Sequence, residues 1–426
     1  MTPLHFMQVK IFFAFVILLT CGSLVGATTV ERSGLVAREP GVFTTNIRAV
    51  LNTRTNESLV IWLKTRVENN SIWGRLLQAD GRPSGGAFQI VSGPNALLPD
   101  LTFNPDTNQF LLMYSNEIGS SNRFEVRVQR LNSSGRKSGP SLRVSSGSDT
   151  TKNINNFSSR LIYDSASQGY LVLLTRNGTA SEDGLYGTVL NSNLTVRTPL
   201  VLMAPAIKDG PTYLGPNVTD LKFHSPSGKI LAAGYSIVTG GGFAFQYFVS
   251  KIDPSLQKPK ITLTKLKGGT SAGAAPDAHV MLLPDGNAIG LFVEGTGLRK
   301  RKINQLGAPI GPISFFYSGV LQSIPVEFPV SATTTDEVAV VSIEDSTMMT
   351  GKIWLQTTSP TGALTQDGFS LQSDQDTNGR PAIVALPAKP SNGFLYAVIY
   401  MEGGQVFPPS PTASSGLILL RVNTTP

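Results

Sequence analysis

A chain of 426 residues with a single cysteine, Cys21, cannot be held together by internal disulfides. That excludes the small stapled domains, which need bridges because their cores are small, and it excludes cysteine-based zinc sites. Histidine is almost as scarce: His5, His224 and His279. Two histidines beyond the N-terminal segment do not supply the ligand set of a His-based zinc site, so neither metal nor cofactor is expected. Charged residues are only 15% of the chain. No segment sustains the i, i+3, i+4, i+7 apolar pattern of an amphipathic helix. Beyond residue 27 no stretch is long and apolar enough to span a bilayer, and no hydrophobic tail follows Asn423 to suggest a lipid anchor.

The N-terminus carries one charge, Lys10, before an apolar run from Ile11 to about Ala27, and Val25-Gly26-Ala27 supplies small residues at its end. Those are the parts of a cleavable secretory signal. The alternative is an uncleaved anchor, but Gly22, Ser23 and Gly26 dilute the run near its end. The expectation is a secreted, extracellular protein with residues 1–27 as signal peptide and 28–426 as a single domain. Cys21 leaves with the signal, so no disulfide remains. Eight Asn-x-Ser/Thr sequons fit a secretory route: Asn56, Asn69, Asn132, Asn156, Asn177, Asn193, Asn217 and Asn423. Nearly all fall in polar stretches that read as turns, where a glycan is sterically tolerable.

What the chain does have is 42 Gly, 28 Pro and short apolar runs punctuated by turn dipeptides, the composition of an all-β protein. The runs form a recurring unit. In its clearest copy a strand around Asp100–Asn104 turns at Pro105–Asn108 into the apolar Phe110–Tyr114. An alternating strand Phe124–Leu131 follows, then a hairpin Asn132–Gly135 and a short last strand, Ser141–Val144. The apolar second strand recurs with starts near 59, 110, 170, 230, 288, 338 and 394. Turns tolerant of positive φ precede it at Gln168-Gly169, Ser227-Gly228, Asp285-Gly286 and Asn392-Gly393. Hairpins follow the third strand at Asp80-Gly81, Ser134-Gly135, Leu306-Gly307 and Thr361-Gly362.

Four strands per unit, repeated at this period, are the mark of propeller blades. A four-stranded sheet cannot bury both its faces alone; stacked radially, each face meets a neighbour. The seventh unit ends after its third strand, Gly416–Val422, while Leu35–Arg38 stands before the first unit without a partner. That N-terminal segment is therefore expected to complete the last blade and remove the open edges that are the usual liability of sheets. Six blades, or two separate β-domains, are the competing architectures. The rhythm of strands and turns resembles seven-bladed β-propeller repeat proteins in general. It carries none of the Gly-His…Trp-Asp pairs, double glycines or Ser-x-Asp-x-Gly-x-Thr-Trp boxes of particular propeller families, so no family's site residues transfer.

No catalytic motif is present: no Gly-x-Ser-x-Gly elbow marks a nucleophile, and the expectation is a protein that is not an enzyme. His224 and His279, each at a first strand, read as strand-end histidines bonded to backbone. Asp374-Gln375-Asp376-Thr377-Asn378-Gly379 starts like a calcium loop, but Ala385 stands where the bidentate Glu belongs, so an Asx-rich turn is the simpler reading. Arg299-Lys300-Arg301-Lys302 is a compact basic run on the expected third strand of unit five. It either contacts a polyanion or is solvated on the strand's outer side. The chain has 35 Lys and Arg, Lys10 included, against 28 Asp and Glu. Aromatic-interleaved basic patches are missing, which argues against nucleic acid.

Seven of the eight sequons precede residue 220, whereas Lys251, Lys258, Lys260, Lys265, Lys267 and the Arg299 run lie in the bare sector that follows. The leading expectation is thus a monomeric extracellular binding or scaffolding module with a protein or acidic glycan as ligand. A structural extracellular-matrix protein without a discrete ligand is the alternative. A glycan-cleaving propeller enzyme is the third, because Asp100, Asp164, Asp220, Asp277 and Asp336 sit near first-strand positions where carboxylates approach the axis.

Overall fold

In the computed structural model of the chain, the described residues are 29–424 except 37–38, 40, 67–68, 94–95, 120–122, 146–154, 178–182, 210–211, 215, 225–227, 240–242, 254–260, 268–277, 295–296, 317–325, 335–336, 346–350, 373–380, 388–392 and 403–414. Residues 1–27, the expected signal, lie outside them. All regular structure among them is β, and no helix there is long and apolar enough to cross a membrane.

The chain begins with β1 (Thr29–Val36) and then builds blades in order. Blade 1 comprises β2 (Phe43–Asn52), β3 (Glu57–Thr65), β4 (Asn70–Leu77) and β5 (Pro83–Val91). Blade 2 has β6 (Ala96–Asn104), β7 (Gln109–Glu117), β8 (Phe124–Leu131) and β9 (Leu142–Arg143). Blade 3 has β10 (Asn155–Asp164), β11 (Gly169–Asn177), β12 (Gly184–Asn191) and β13 (Val196–Pro205). A small hairpin that the repeat did not foretell, β14 (Ile207–Asp209) with β15 (Thr212–Leu214), leads on to blade 4. That blade is β16 (Asn217–His224), β17 (Lys229–Thr239), β18 (Phe243–Ile252) and β19 (Ile261–Lys267). Blade 5 is β20 (Ala278–Leu282), β21 (Ala288–Glu294), β22 (Gly297–Ile303) and β23 (Pro309–Phe315). Blade 6 is β24 (Val326–Thr333), β25 (Val338–Asp345), β26 (Gly351–Thr358) and β27 (Leu364–Gln372). Blade 7 holds β28 (Ala382–Leu386), β29 (Phe394–Glu402) and β30 (Gly416–Thr424), with β1 as its fourth, outermost strand.

The centre of each blade's second strand is an apolar run because its alternating side chains feed two different cores. In β7, Phe110, Leu112 and Tyr114 pack toward blade 1, while Leu111 and Met113 pack toward blade 3. The same partition recurs around the molecule, giving seven apolar clusters, one at every seam between blades. The fold is a seven-bladed β-propeller, as the repeat predicts.

Closure follows the expected plan but starts earlier. β1 pairs antiparallel with β30 from Thr29↔Asn423 to Val36↔Leu417, so the latch begins at Thr29; of the expected segment Leu35–Arg38, Leu35 and Val36 belong to it, and Ala37 and Arg38 lie outside the described residues. Most of β1 faces solvent, which hides it in the sequence; Leu35 alone is fully buried, in the cluster between blades 7 and 1. Arg421 of β30 pairs with Glu31 of β1 and donates through Nε to the Asp80 carbonyl of blade 1 at 2.6 Å. Ser415 Oγ also accepts from the Thr44 amide at 2.8 Å. The expected hairpin glycines hold their places, with φ near 80° at Gly81, Gly135, Gly307 and Gly362. Gly135 is doubly constrained, because a Cβ there would sit 2.9 Å from Leu59 and Phe88 of the preceding blade.

Candidate functional site in the axial cavity

The first strand of each blade is the innermost, and these strands touch one another in sequence around the axis, with β2 closing on β28. Their outer pairing to the second strand slips at one recurring place. It lies between Thr45 and Arg48, Leu97 and Asp100, Ser158 and Arg160, Val218 and Asp220, and Glu327 and Val330. A bulge inserts a residue and re-aims the side chain beyond it; Asn46 and Leu98, inside two of them, have φ of 50° and 49°. The side chains after four of the slips, Arg48, Asp100, Arg160 and Asp220, line an axial cavity of about 160 Å3. Lys222, His279 and Ser331 share it. Passing from blade 1 to blade 6, the ring therefore reads Arg, Asp, Arg, Asp, His, Ser.

These groups knit neighbouring blades together. Arg48 Nε donates to Asp100 Oδ1 at 3.0 Å, and Asp100 Oδ2 accepts the Leu161 amide of the next blade at 2.7 Å. Arg160 Nε donates to the Thr219 carbonyl at 2.6 Å, again one blade on. Asp220 Oδ2 accepts from the Val280 amide at 3.0 Å and from His279 Nδ1 at 2.7 Å. His279 Nε2 meets Ser331 Oγ at 2.7 Å. The Leu161 and Val280 amides would otherwise face the channel unpaired, and the carboxylates of Asp100 and Asp220 on the preceding blades satisfy them. Burial alone would raise the Asp220 carboxyl. Its contact with His279, the charge of Lys222 and the Val280 amide outweigh that and hold it well below the usual carboxylate range.

Asp100 and Asp220 thus reach the axis as the first-strand positions suggest. Asp164 does not: it is buried at the end of β10 and caps its own turn, accepting from the Ala166 and Ser167 amides at 3.0 and 3.2 Å. Asp277 and Asp336 lie outside the described residues, as do Asp374, Asp376 and Asn378 of the calcium-like stretch. His224 is bonded to backbone as expected, Nε2 to the Gly286 carbonyl at 2.7 Å. His279 departs from that expectation, since its partners are two side chains. Among the described residues no cluster of His, Cys, Asp and Glu fits a metal ion.

The basic run lies on the third strand of blade 5, where the repeat puts it, but it is not one patch. Strand alternation sends Arg299 and Arg301 to one face and Lys300 and Lys302 to the other. Arg299 stacks over Phe315, 3.4 Å from its ring centre, and Lys300 lies 5.7 Å over Phe316. Burial lowers the pKa of Lys300, and of the four only Lys302 is fully exposed. Lys258 and Lys260 fall outside the described residues, and the side chains of Lys251, Lys265 and Lys267 are not described.

The sequons divide. Asn56, Asn69, Asn132 and Asn193 are exposed in turns or at a strand edge. Asn156 lies within β10, 2% exposed, with its Oδ1 accepting from Arg176 Nε at 3.1 Å. Asn217 and Asn423 are half-buried on β16 and β30, and Asn177 ends β11. Turn placement therefore holds for fewer of them than the polar context suggests, because a sequon's hydroxyl residue suits a strand as readily as a turn.

The architecture defines the chain as a propeller with a polar, charge-alternating axis. No family model matches the sequence, and no curated protein matches it. Solved structures do resemble it. A protein of unknown function from Dyadobacter fermentans is 11% identical over 93% of this chain and 99% of that one, with a TM-score of 0.54. The periplasmic gluconolactonase of Pseudomonas aeruginosa is 12% identical over 90% and 100%, with a TM-score of 0.50. A leech intramolecular trans-sialidase is 9% identical over 89% and 68%, at 0.48. At such identities the likeness shows the fold alone.

Proposed function

We propose that this protein is a secreted recognition module that receives an anionic group, such as the terminal acidic residue of a glycan, in its axial cavity. The observation that carries this reading is the charge of the cavity wall: Arg48, Arg160 and Lys222 against Asp100 and Asp220. Clefts lined by an excess of one sign concentrate ligands of the other. The space, about 160 Å3, suits one terminal residue rather than an extended chain. Lys222 is the adaptable member. Its ammonium is 4.0 Å from Asp220 Oδ1 and its side chain is 32% exposed, so it can turn to a ligand without abandoning a close ion pair.

The test is calorimetric titration with carboxylated and sulfated oligosaccharides. Losing one charge-assisted hydrogen bond costs about 1.5–3 kcal/mol, so Lys222→Gln is expected to weaken binding by roughly ten- to a hundredfold. Lys302→Gln on the rim should leave it unchanged. Weakening by Lys302→Gln and not by Lys222→Gln would move the contact to the rim and overturn the axial reading.

The secretory part of the proposal rests on the N-terminal leader and the exposed sequons. Cleavage after Ala27 would leave the closing strand whole, because its pairing begins at Thr29. Expressed with its leader in a glycosylating host, the protein should reach the medium. Its glycopeptides should carry sugar at exposed positions such as Asn132 and Asn193 and none at Asn156, whose side chain is enclosed. Retention of the chain inside the cell without glycan would sink the secretory assignment.

A further inference from the structure

Ser331, His279 and Asp220 come from the first strands of blades 6, 5 and 4 and meet in one line on the axial cavity. Ser331 Oγ is 2.7 Å from His279 Nε2, and His279 Nδ1 is 2.7 Å from Asp220 Oδ2. Other polar links between inner strands among the described residues use a carboxylate, a guanidinium or a hydroxyl, as at Asp100–Leu161, Arg160–Thr219, Thr333–Leu282 and the Arg48–Asp100 pair. Joining blades 5 and 6 requires no imidazole. What an imidazole adds, placed between a hydroxyl and a carboxylate with a different nitrogen toward each, is proton transfer. Hydroxyl, base and orienting carboxylate within hydrogen-bond reach are the parts of an activated nucleophile, recognised by geometry rather than by order in the chain.

We propose that Ser331, His279 and Asp220 form a nucleophilic relay that hydrolyses a short-chain carboxylic ester presented in the axial cavity. Ser331 Oγ adds to the ester carbonyl carbon and its proton passes to His279 Nε2. Asp220 accepts the Nδ1 hydrogen bond and stabilises the imidazolium. The tetrahedral adduct collapses by breaking the bond to the alcohol oxygen, which leaves with the proton from Nε2 and gives acyl-Ser331. Water then adds to the acyl carbon, its proton going to Nε2. Collapse releases the carboxylic acid and returns that proton to Ser331 Oγ. The net change is ester plus water to acid plus alcohol. Negative charge developing on the carbonyl oxygen forms in the cavity that Arg160 and Lys222 line, where fixed positive charge favours it. The cavity's size restricts the acyl group to a few carbons. That the alcohol part is anionic, as in an O-acetylated acidic sugar, rests on the proposed ligand class; the nucleophile does not.

The experiment uses a small uncharged fluorophosphonate on the folded protein, with peptide mass spectrometry to locate the adduct. One adduct on Ser331 is expected. It should be absent in Ser331→Ala and form at least a hundredfold more slowly in His279→Gln, with both variants checked for native circular dichroism. p-Nitrophenyl acetate hydrolysis should fall in step. A Ser331 that stays unmodified in the native protein, or one labelled equally fast in a folded His279→Gln variant, overturns the relay. Because the probe is uncharged, its outcome is independent of whether acidic glycans bind. Labelling that carboxylated oligosaccharides do not slow would overturn the anionic substrate class while leaving the nucleophile in place.

Discussion

Deleting residues 29–36 is expected to open the ring: the variant should unfold at markedly lower urea than the full chain and self-associate when concentrated. β1 contributes the pairing with β30 over its whole length, the buried Leu35, and the Leu35 carbonyl that accepts from Arg75 Nη1 at 2.6 Å. Truncating one buried leucine alone costs about 2–5 kcal/mol. Lost hydrogen bonds add about 1 kcal/mol each. The strand as a whole is therefore worth on the order of 5 kcal/mol or more, a large part of a typical folding stability. Its removal also exposes the backbone of β30, beside the buried Leu417 and Leu419, as a free sheet edge that templates pairing with another copy. Leu35→Ala separates the contributions, since it should lower the urea midpoint while leaving the protein monomeric on gel filtration. A deletion variant that elutes as a monomer with an unchanged midpoint would show that the ring does not depend on this latch. Small folds without disulfides face the same problem of open ends; here a strand from the other end of the chain solves it.

The latch also shows where sequence reasoning reaches. Its existence was legible because blade 7 lacks a fourth strand, but its position was not: Thr29–Gly34 is polar but for the exposed Val30 and mostly faces solvent, so no apolar alternation marks it. The second strands were legible because burial on both faces demands an unbroken apolar run, as at Phe110–Tyr114, whose side chains serve two seams. The hairpin glycines were legible because positive φ leaves few other choices. The axial residues were half visible. Asp100 and Asp220 stood out as carboxylates near first strands, and His279 as a first-strand histidine though one read as bonded to backbone, yet Arg48, Arg160 and Ser331 did not. A bulge breaks the two-residue alternation that tells inward from outward, and residues separated by a whole blade share no local motif. One signal was available. In blades 1 to 5 a polar residue lies nine to eleven positions before the apolar start of the second strand: Arg48, Asp100, Arg160, Asp220 and His279. Aligning the repeats on that strand, column by column, brings the axial set out.

Replacing Asp220 with Ala should cost about 3–5 kcal/mol near neutral pH, the range for removing one partner of a buried charged contact. It leaves the Val280 amide and His279 Nδ1 without the acceptor that both share. The side chain of Asp220 is only 14% exposed, so water does not readily take its place. The cost carries a pH signature. The folded-state pKa of Asp220 lies below its unfolded value because its contact with His279, the charge of Lys222 and the Val280 amide overcome the burial that would raise it. Its contribution is thus fully present above the unfolded value, about 3.9, and is lost as pH falls toward the lower folded one. The carboxylate's own part of the stability gap between the native protein and Asp220→Ala should be present at pH 7 and begin to narrow at about pH 4, whereas His279, which loses its Nδ1 acceptor in the variant, does not cancel. Glu337 works in the opposite sense. Burial raises its carboxyl despite hydrogen bonds from Thr424, Tyr396 and Thr357, so its ionisation opposes folding as pH rises. It is common to both proteins and cancels in the difference, which is why the gap, and not either curve alone, reports on Asp220. Urea midpoints at pH 7, 4 and 2.5 measure it. A gap that stays constant across that range would mean that the Asp220 contact stabilises the ring by packing, not by charge.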